Sequence, residues 1–275
     1  MHRARALPVL LALAVTGCAR PDAITWSGGV EQPGETLPGK IVVSTDGGAR
    51  FVDRLRDADS FTPPAGACHA SVRVARSAPS GTERHAVWWS ARPDSSAVLL
   101  AAKSSDAGAS WSTPIPVDTV DQSDVGCSRP APAIAADSAT STVHIAYSMQ
   151  GPEGTGVFFA HSMEAGDMYH WPVAVVYGER LVDVAVAVLR DTVAVAYADP
   201  NMRKPRIALA LSRTMGHIFE ERATVPGGAS RSASSPDVAL APGRIVVGWV
   251  ERAPTGPGLV VARTGALRMA ATRGD

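Results

Sequence analysis

Residues 104–111 read Ser-Ser-Asp-Ala-Gly-Ala-Ser-Trp, and weaker copies of this pattern recur along the chain at nearly even intervals. The chemistry of the four fixed positions explains their spacing. A short acidic side chain folds back to accept hydrogen bonds from backbone N–H groups just downstream, and a serine hydroxyl does the same more weakly. Glycine supplies a backbone conformation closed to residues with a Cβ. The tryptophan then holds the turn onto an apolar layer beneath it. A chain that repeats such a clamp every fifty to sixty residues is built from hairpins, one set per clamp.

The strands between the clamps repeat as well. Each unit opens on a small, apolar strand: Ser71-Val72-Arg73-Val74-Ala75, Pro132-Ala133-Ile134-Ala135, Asp183-Val184-Ala185-Val186-Ala187 and Asp237-Val238-Ala239-Leu240-Ala241. A second strand ends in an aromatic at Trp89, Tyr147, Tyr197 or Trp249, and a third runs into the turn. A fourth follows, such as Thr113-Pro114-Ile115-Pro116-Val117, whose prolines suit only a sheet edge. Period-two alternation, Gly/Pro/Ser/Asp punctuation and no helical periodicity predict an all-β fold. Four strands per unit, arranged radially, is the β-propeller answer to unpaired sheet edges. Third strands fall near residues 41, 98, 157, 207 and 259, which predicts five blades, with six as the alternative. Residues 24–56 then make a shortened first blade, and Ala262-Arg263-Thr264-Gly265-Ala266 a final turn reduced to its glycine.

Ser-x-Asp-x-Gly-x-x-Trp resembles the Asp-box, or BNR repeat, of sialidases and related β-propellers. Ser104, Asp106, Gly108 and Trp111 match it fully, and Ser44, Asp46, Gly48 and Phe51 match with Phe for Trp. Ser162, Glu164, Gly166 and Trp171 form a degenerate copy with two extra residues before the aromatic. Ser212, Gly216 and Phe219 form another, with Thr214 where the acid stands. The resemblance implies turns between the third and fourth strands of each blade, on the side away from the ligand. It also implies three arginines on a substrate carboxylate, a tyrosine nucleophile paired with a glutamate, and an aspartate acid/base. The family's Arg-Ile-Pro motif is missing; the corresponding stretch is Ala23-Ile24-Thr25-Trp26. Tyr147 and Tyr197 fall on the repeated core position and Tyr169 inside a turn, which leaves Tyr177 without a structural place.

The start of the chain carries an address. Arg3 and Arg5 precede the apolar run Ala6 to Val15, and Val15-Thr16-Gly17-Cys18 follows. A basic start, a short apolar stretch and small residues before a cleavage point describe a secretory signal. Cys18 resembles the acylated cysteine of bacterial lipoproteins. The expected organisation is a signal at 1–17, a lipid-anchored tether at 18–23 and a propeller at 24–275. Ala19 after that cysteine leans, by resemblance to enterobacterial sorting, toward the outer membrane. With Cys18 assigned to lipid, Cys68 and Cys127 remain in an oxidising compartment. They occupy nearly equivalent points of adjacent repeats, so a bridge would staple neighbouring blades; two buried thiols are the alternative.

The chain carries 26 basic and 26 acidic residues, so no net field draws it to nucleic acid. The candidate binding residues lie where the mouth of a propeller's channel would be. His69, Arg129, Arg180 and Arg231 precede the first strands, with Asp183 and Asp237 just after. Arg92, Asp199 and Glu251 follow the second-strand aromatics. Arginines among carboxylates suit an anionic sugar or a peptide carboxylate, because guanidinium pairs bidentately with carboxylate. Solvated loop ends and salt bridges between blades would use the same residues. The seven histidines show no metal-ligand spacing, and His161 and His170 read as solvated, so no metal and no cofactor is expected. The expected function is an envelope-anchored, monomeric binding or scaffold module for an acidic glycan or envelope protein. An exo-sialidase-like hydrolase is the alternative.

Overall fold

The computed structural model describes residues 22–53, 61–78, 81–227 and 231–268. Its strands, in chain order, are β1 (Ile24–Pro33), β2 (Lys40–Val43), β3 (Ala49–Val52), β4 (Arg73–Arg76), β5 (Arg84–Ala91), β6 (Ala97–Ser104), β7 (Ile115–Asp118), β8 (Ala133–Asp137) and β9 (Thr142–Gly151). They continue as β10 (Gly154–Ser162), β11 (Val173–Tyr177), β12 (Val184–Leu189), β13 (Thr192–Ala198), β14 (Ile207–Ser212), β15 (Glu221–Thr224), β16 (Ser232–Ala241), β17 (Arg244–Arg252) and β18 (Leu259–Leu267). Three antiparallel sheets run in simple meanders, β4-β5-β6-β7, β8-β9-β10-β11 and β12-β13-β14-β15. A fourth has the order β16-β17-β18-β1, and a two-stranded sheet pairs β2 with β3. The first strands lie side by side, β4 against β8, β8 against β12 and β12 against β16, and β16 in turn packs against β2 of the two-stranded sheet. This is the radial, all-β arrangement of propeller blades, and each predicted third strand is a strand: β2, β6, β10, β14 and β18.

The two ends of the chain depart from expectation. β1 does not belong to a first blade; it pairs along its length with β18, from Ile24 opposite Leu267 to Pro33 opposite Leu259. Residues 262–266 make no turn, because β18 runs straight through them and Gly265 lets Ile24 and Trp26 lie close. The fifth sheet is the β2–β3 hairpin alone among the described residues. Ile41 and Phe51 cover Val246, Gly248 and Ala262 on one face of the fourth sheet. On the first sheet, Phe61 packs on Trp88 and Trp111 at 4.8 Å between ring centroids. A segment of irregular chain therefore shields that face of the first sheet.

Small side chains let the sheets stack closely. Trp88, Trp89, Trp249, Tyr147 and Phe159 are fully buried among Ala and Val, each worth about 1.5–3 kcal/mol against exposure. The second strands are buried at nearly every position, as in β9 and β17, rather than alternating. Layers on both faces remove the solvent side that alternation needs. Cys68 and Cys127 form a disulfide with Cα atoms 5.1 Å apart, joining the approaches to β4 and β8. That bridge connects the first and second sheets, at matching places in two successive repeats.

The turns are clamped by serine. The N–H of Gly108 donates to Ser104 Oγ at 2.8 Å, that of Gly166 to Ser162 Oγ at 3.0 Å, and that of Gly216 to Ser212 Oγ at 3.0 Å. Asp106 accepts from the Ser110 N–H at 2.9 Å, and Thr214 Oγ1 accepts at the same place from Ile218 N–H at 3.2 Å. A hydroxyl thus stands in for the acid. The first copy is a tighter hairpin, where the Gly48 N–H donates to Asp46 Oδ1 at 3.0 Å and Ser44 Oγ bonds Asp46. The third copy corrects the alignment. Trp171 is 89% exposed and holds nothing. Tyr169, three residues after Gly166 as Trp111 is after Gly108, packs on the core cluster of the first two sheets. The spacing is regular and the aromatic is tyrosine.

Candidate functional site

Antiparallel order places the starts of the first strands and the loops joining second to third strands at one end of the sheets. The serine-clamped turns lie at the other end. The predicted binding residues occupy the first end, and most are already engaged. Arg129 is 6% exposed; it donates to Asp121 Oδ2 at 2.8 Å and to the Gly126 carbonyl at 2.6 Å, and lies over the Trp89 ring. A guanidinium so placed holds the loop to the sheet, and loss of either partner would strand a buried charge. Asp183 accepts from the Ser235 N–H at 2.9 Å, and Asp237 from the Ile41 N–H at 3.0 Å. These two carboxylates tie one sheet to the next. Glu251 is 4% exposed and accepts from Trp249 Nε1 at 3.0 Å. It lines one cleft with Arg206 and Arg231, and Arg231 also reaches the Pro257 carbonyl at 3.4 Å. Arg92 donates to the Thr119 carbonyl at 2.7 Å. His69 is exposed in a single turn of 3-10 helix, apart from these contacts.

A second group at this end includes residues that sequence reasoning left unplaced. Tyr177, 44% exposed at the end of β11, donates its hydroxyl to Glu153 at 2.7 Å. That bond to the carboxylate raises the phenol's pKa. Asn201 donates from its side chain to the Tyr177 carbonyl at 2.9 Å, and its N–H donates to Asp199 Oδ1 at 2.9 Å. Exposed Arg180 bonds the Met202 carbonyl in the same loop. An aromatic, a guanidinium, an amide and two carboxylates meet here because the end of β11 and the β13–β14 loop are adjacent. Their separation in sequence hides the grouping.

At the opposite end three histidines meet, which corrects the reading of His161 as solvated. His161, next to the last residue of β10, is 5% exposed, and its ring lies 4.6 Å from His170 and 4.5 Å from His217 between centroids. Burial, then the neighbouring His217 and His170, hold the His161 pKa down at about 4. Among the described residues this is the group of side chains that could hold a metal ion, with ligand atoms all within 4.8 Å of one another. Cys18 lies outside the described residues.

No family model matches the sequence, and the sequence comparison with curated proteins finds no match. Solved structures match it in fold at low sequence identity. A Trypanosoma rangeli sialidase in complex with 2,3-difluoro-KDN superposes over 89% of this chain and 41% of its own, with a TM-score of 0.50 and 12% identity. The phage phi92 endosialidase covers 73% of this chain and 36% of its own, with a TM-score of 0.47 and 9% identity. A Bacteroides ovatus protein described as xyloglucan PUL GH43B covers 70% and 38%, with a TM-score of 0.43 and 15% identity. This chain therefore spans about two fifths of the length of each. What it shares with the trypanosomal sialidase is the β-propeller fold.

Proposed function

We propose that this chain is a lipid-anchored β-propeller of the cell envelope that binds a carboxylate-bearing ligand, an acidic glycan or peptide, without cleaving it. The observation that carries the reading is the exposed group Tyr177, Arg180 and Asn201, beside the end of β11. Glu153 fixes the tyrosine hydroxyl, so the ring offers a rigid apolar face with a polar rim. The planar guanidinium of Arg180 suits a carboxylate. Cys18, directly after Val15-Thr16-Gly17 and a few residues before β1, supports an anchor that keeps the fold near a bilayer.

The hydrolase reading draws on one observation, the Tyr177–Glu153 pair, because the sialidase resemblance implies a tyrosine paired with a glutamate. Three features favour binding instead. Tyr177 lies on the outermost strand of its sheet, its pKa is raised, and Arg129 is occupied by Asp121. Purified protein is expected to bind sialylated or uronate-containing oligosaccharides with a salt-dependent affinity, reduced in Arg180→Ala and Tyr177→Ala. Hydrolysis of a fluorogenic sialoside, lost in Tyr177→Phe and Glu153→Gln, would establish the enzyme. For the anchor, fatty-acid labelling is expected in the native chain and absent from Cys18→Ala; labelling that persists removes the lipoprotein assignment.

A further inference from the structure

The junctions between successive sheets repeat at the clamped end, and one of them changes chemistry. Between the first and second sheets, Lys103 and Asp167 are 2.6 Å apart. Lys103 directly precedes the clamp serine Ser104, and Asp167 directly follows the clamp glycine Gly166 of the next turn. One sheet further on, the same two places are held by His161, before Ser162, and His217, after Gly216. Their geometry has a plain cause. Gly216, at a φ of +92°, stands where a Cβ would lie 2.1 Å from the Phe159 ring. The glycine lets the third sheet's turn rest on that ring, and its neighbour His217 then reaches His161. Where the preceding junction has an ion pair, this one has two imidazoles meeting edge-on, with the third, His170, stacked on His161.

Each ring offers a lone pair. His161 Nε2 is buried with no hydrogen-bond partner, a costly state for a polar atom. His217 Nδ1 donates to the Thr214 carbonyl at 2.6 Å, so in the neutral ring the lone pair sits on Nε2. An imidazole whose second nitrogen is held by a backbone carbonyl is oriented as metal-binding histidines are. The His170 backbone N–H donates to the His161 carbonyl at 2.9 Å, keeping the third ring close. Burial keeps His161 neutral at physiological pH, the form that ligates.

We propose that His161, His170 and His217 form a site for a divalent transition-metal ion, with zinc as the preferred occupant, bridging the second and third sheets. Three imidazoles with an open fourth position suit tetrahedral zinc, whose Zn–N bonds of about 2.0–2.1 Å set nitrogens about 3.3 Å apart. The ligand atoms lie within 4.8 Å, and rotation of the exposed His170 side chain, with a small shift of His217 about its bond to Thr214, closes the remainder. The metal takes the place that the Lys103–Asp167 pair fills at the preceding junction. His170 is followed by the exposed Trp171, so an ion bound here sits beside a fluorophore.

The test uses the full chain without an affinity tag, stripped with chelator and dialysed against micromolar zinc near neutral pH. One zinc per chain is expected, with a melting temperature raised by the metal. His170→Ala/His217→Ala changes two exposed side chains and should fold; its zinc affinity is expected to fall by at least about a hundredfold, since even supporting residues cost 10–100-fold. His69→Ala, at the opposite end, should bind as the native chain does. A folded native chain that retains no zinc overturns the proposal. So does a double variant that binds zinc with unchanged stoichiometry and affinity.

Discussion

Tyr147 of the second sheet donates its hydroxyl hydrogen to Asp118 of the first at 2.6 Å, inside the protein. Tyr147 is fully buried, and burial, reinforced by Asp118, pushes its phenol pKa far up. The repeated aromatic of the second strand is therefore both a core side chain and a polar link between sheets. Its ring also meets Trp89 edge-on, at 5.8 Å between centroids. Tyr147→Phe keeps that ring contact and removes the hydroxyl from Asp118. Urea unfolding should show a loss of about 1.5–3 kcal/mol, the value of a hydrogen bond to a charged group. A loss within error of zero would mean that water replaces the hydroxyl.

The clamp residues divide their roles. Ser104 is buried and accepts the Gly108 N–H, so Ser104→Ala should cost about 1–3 kcal/mol by leaving that donor unpaired. Asp106 is exposed. Bonds from Ser110 and then Ser104 hold its pKa down at about 2. Asp106→Ala should be the milder change of the two in thermal melts, and neither should alter ligand binding at the other end. The reverse order of stability would place the clamp on the acid.

Gly216 tests whether shape or backbone angle holds the second and third sheets together. Gly216→Ala meets the Phe159 ring and carries a positive φ, and should destabilise by about 3 kcal/mol or more. Gly126 has a φ of +55° with nothing within 4 Å of an added Cβ. Gly126→Ala should cost only the backbone strain, about 1 kcal/mol. Equal effects on denaturation midpoints would show that the ring contact contributes nothing.

His85 makes stability depend on pH. It is 1% exposed, bonds Ser77 Oγ at 3.0 Å through Nε2, and sits near Glu83, Lys103 and Asp167. Burial, the largest influence, lowers its pKa below the 6.5 of a free imidazole. Below pH 6.5 the unfolded chain takes up a proton that the folded chain refuses. Its contribution is therefore complete above that pH and declines as pH falls toward the lower folded value. Between about pH 7.5 and pH 5 the native chain should lose more melting temperature than His85→Gln, which keeps a polar partner for Ser77. Parallel losses would show that His85 does not titrate in this way.

The strands and their repeat were legible in the residues alone. Ala- and Val-rich runs, aromatic second-strand ends and Ser-x-x-x-Gly turns are local signals, because a turn's hydrogen bonds span only a few residues. The cysteine pair was legible through the repeat, as nearly equivalent places in adjacent units, while packing decided between a bridge and two thiols by bringing the Cα atoms to 5.1 Å. Whatever depends on neighbours far along the chain emerged only from packing. β1 joins β18 because an open sheet edge recruits whichever strand lies beside it, and no local pattern announces a partner at the other end of the chain. Arg129, Asp183 and Asp237 have the composition of a binding site, yet burial and inter-sheet hydrogen bonds absorb them. His161, His170 and His217 look scattered in sequence and converge because two turns pack across a sheet junction. Which side chains face one another across that junction is a property of packing, set by a glycine lying on a phenyl ring.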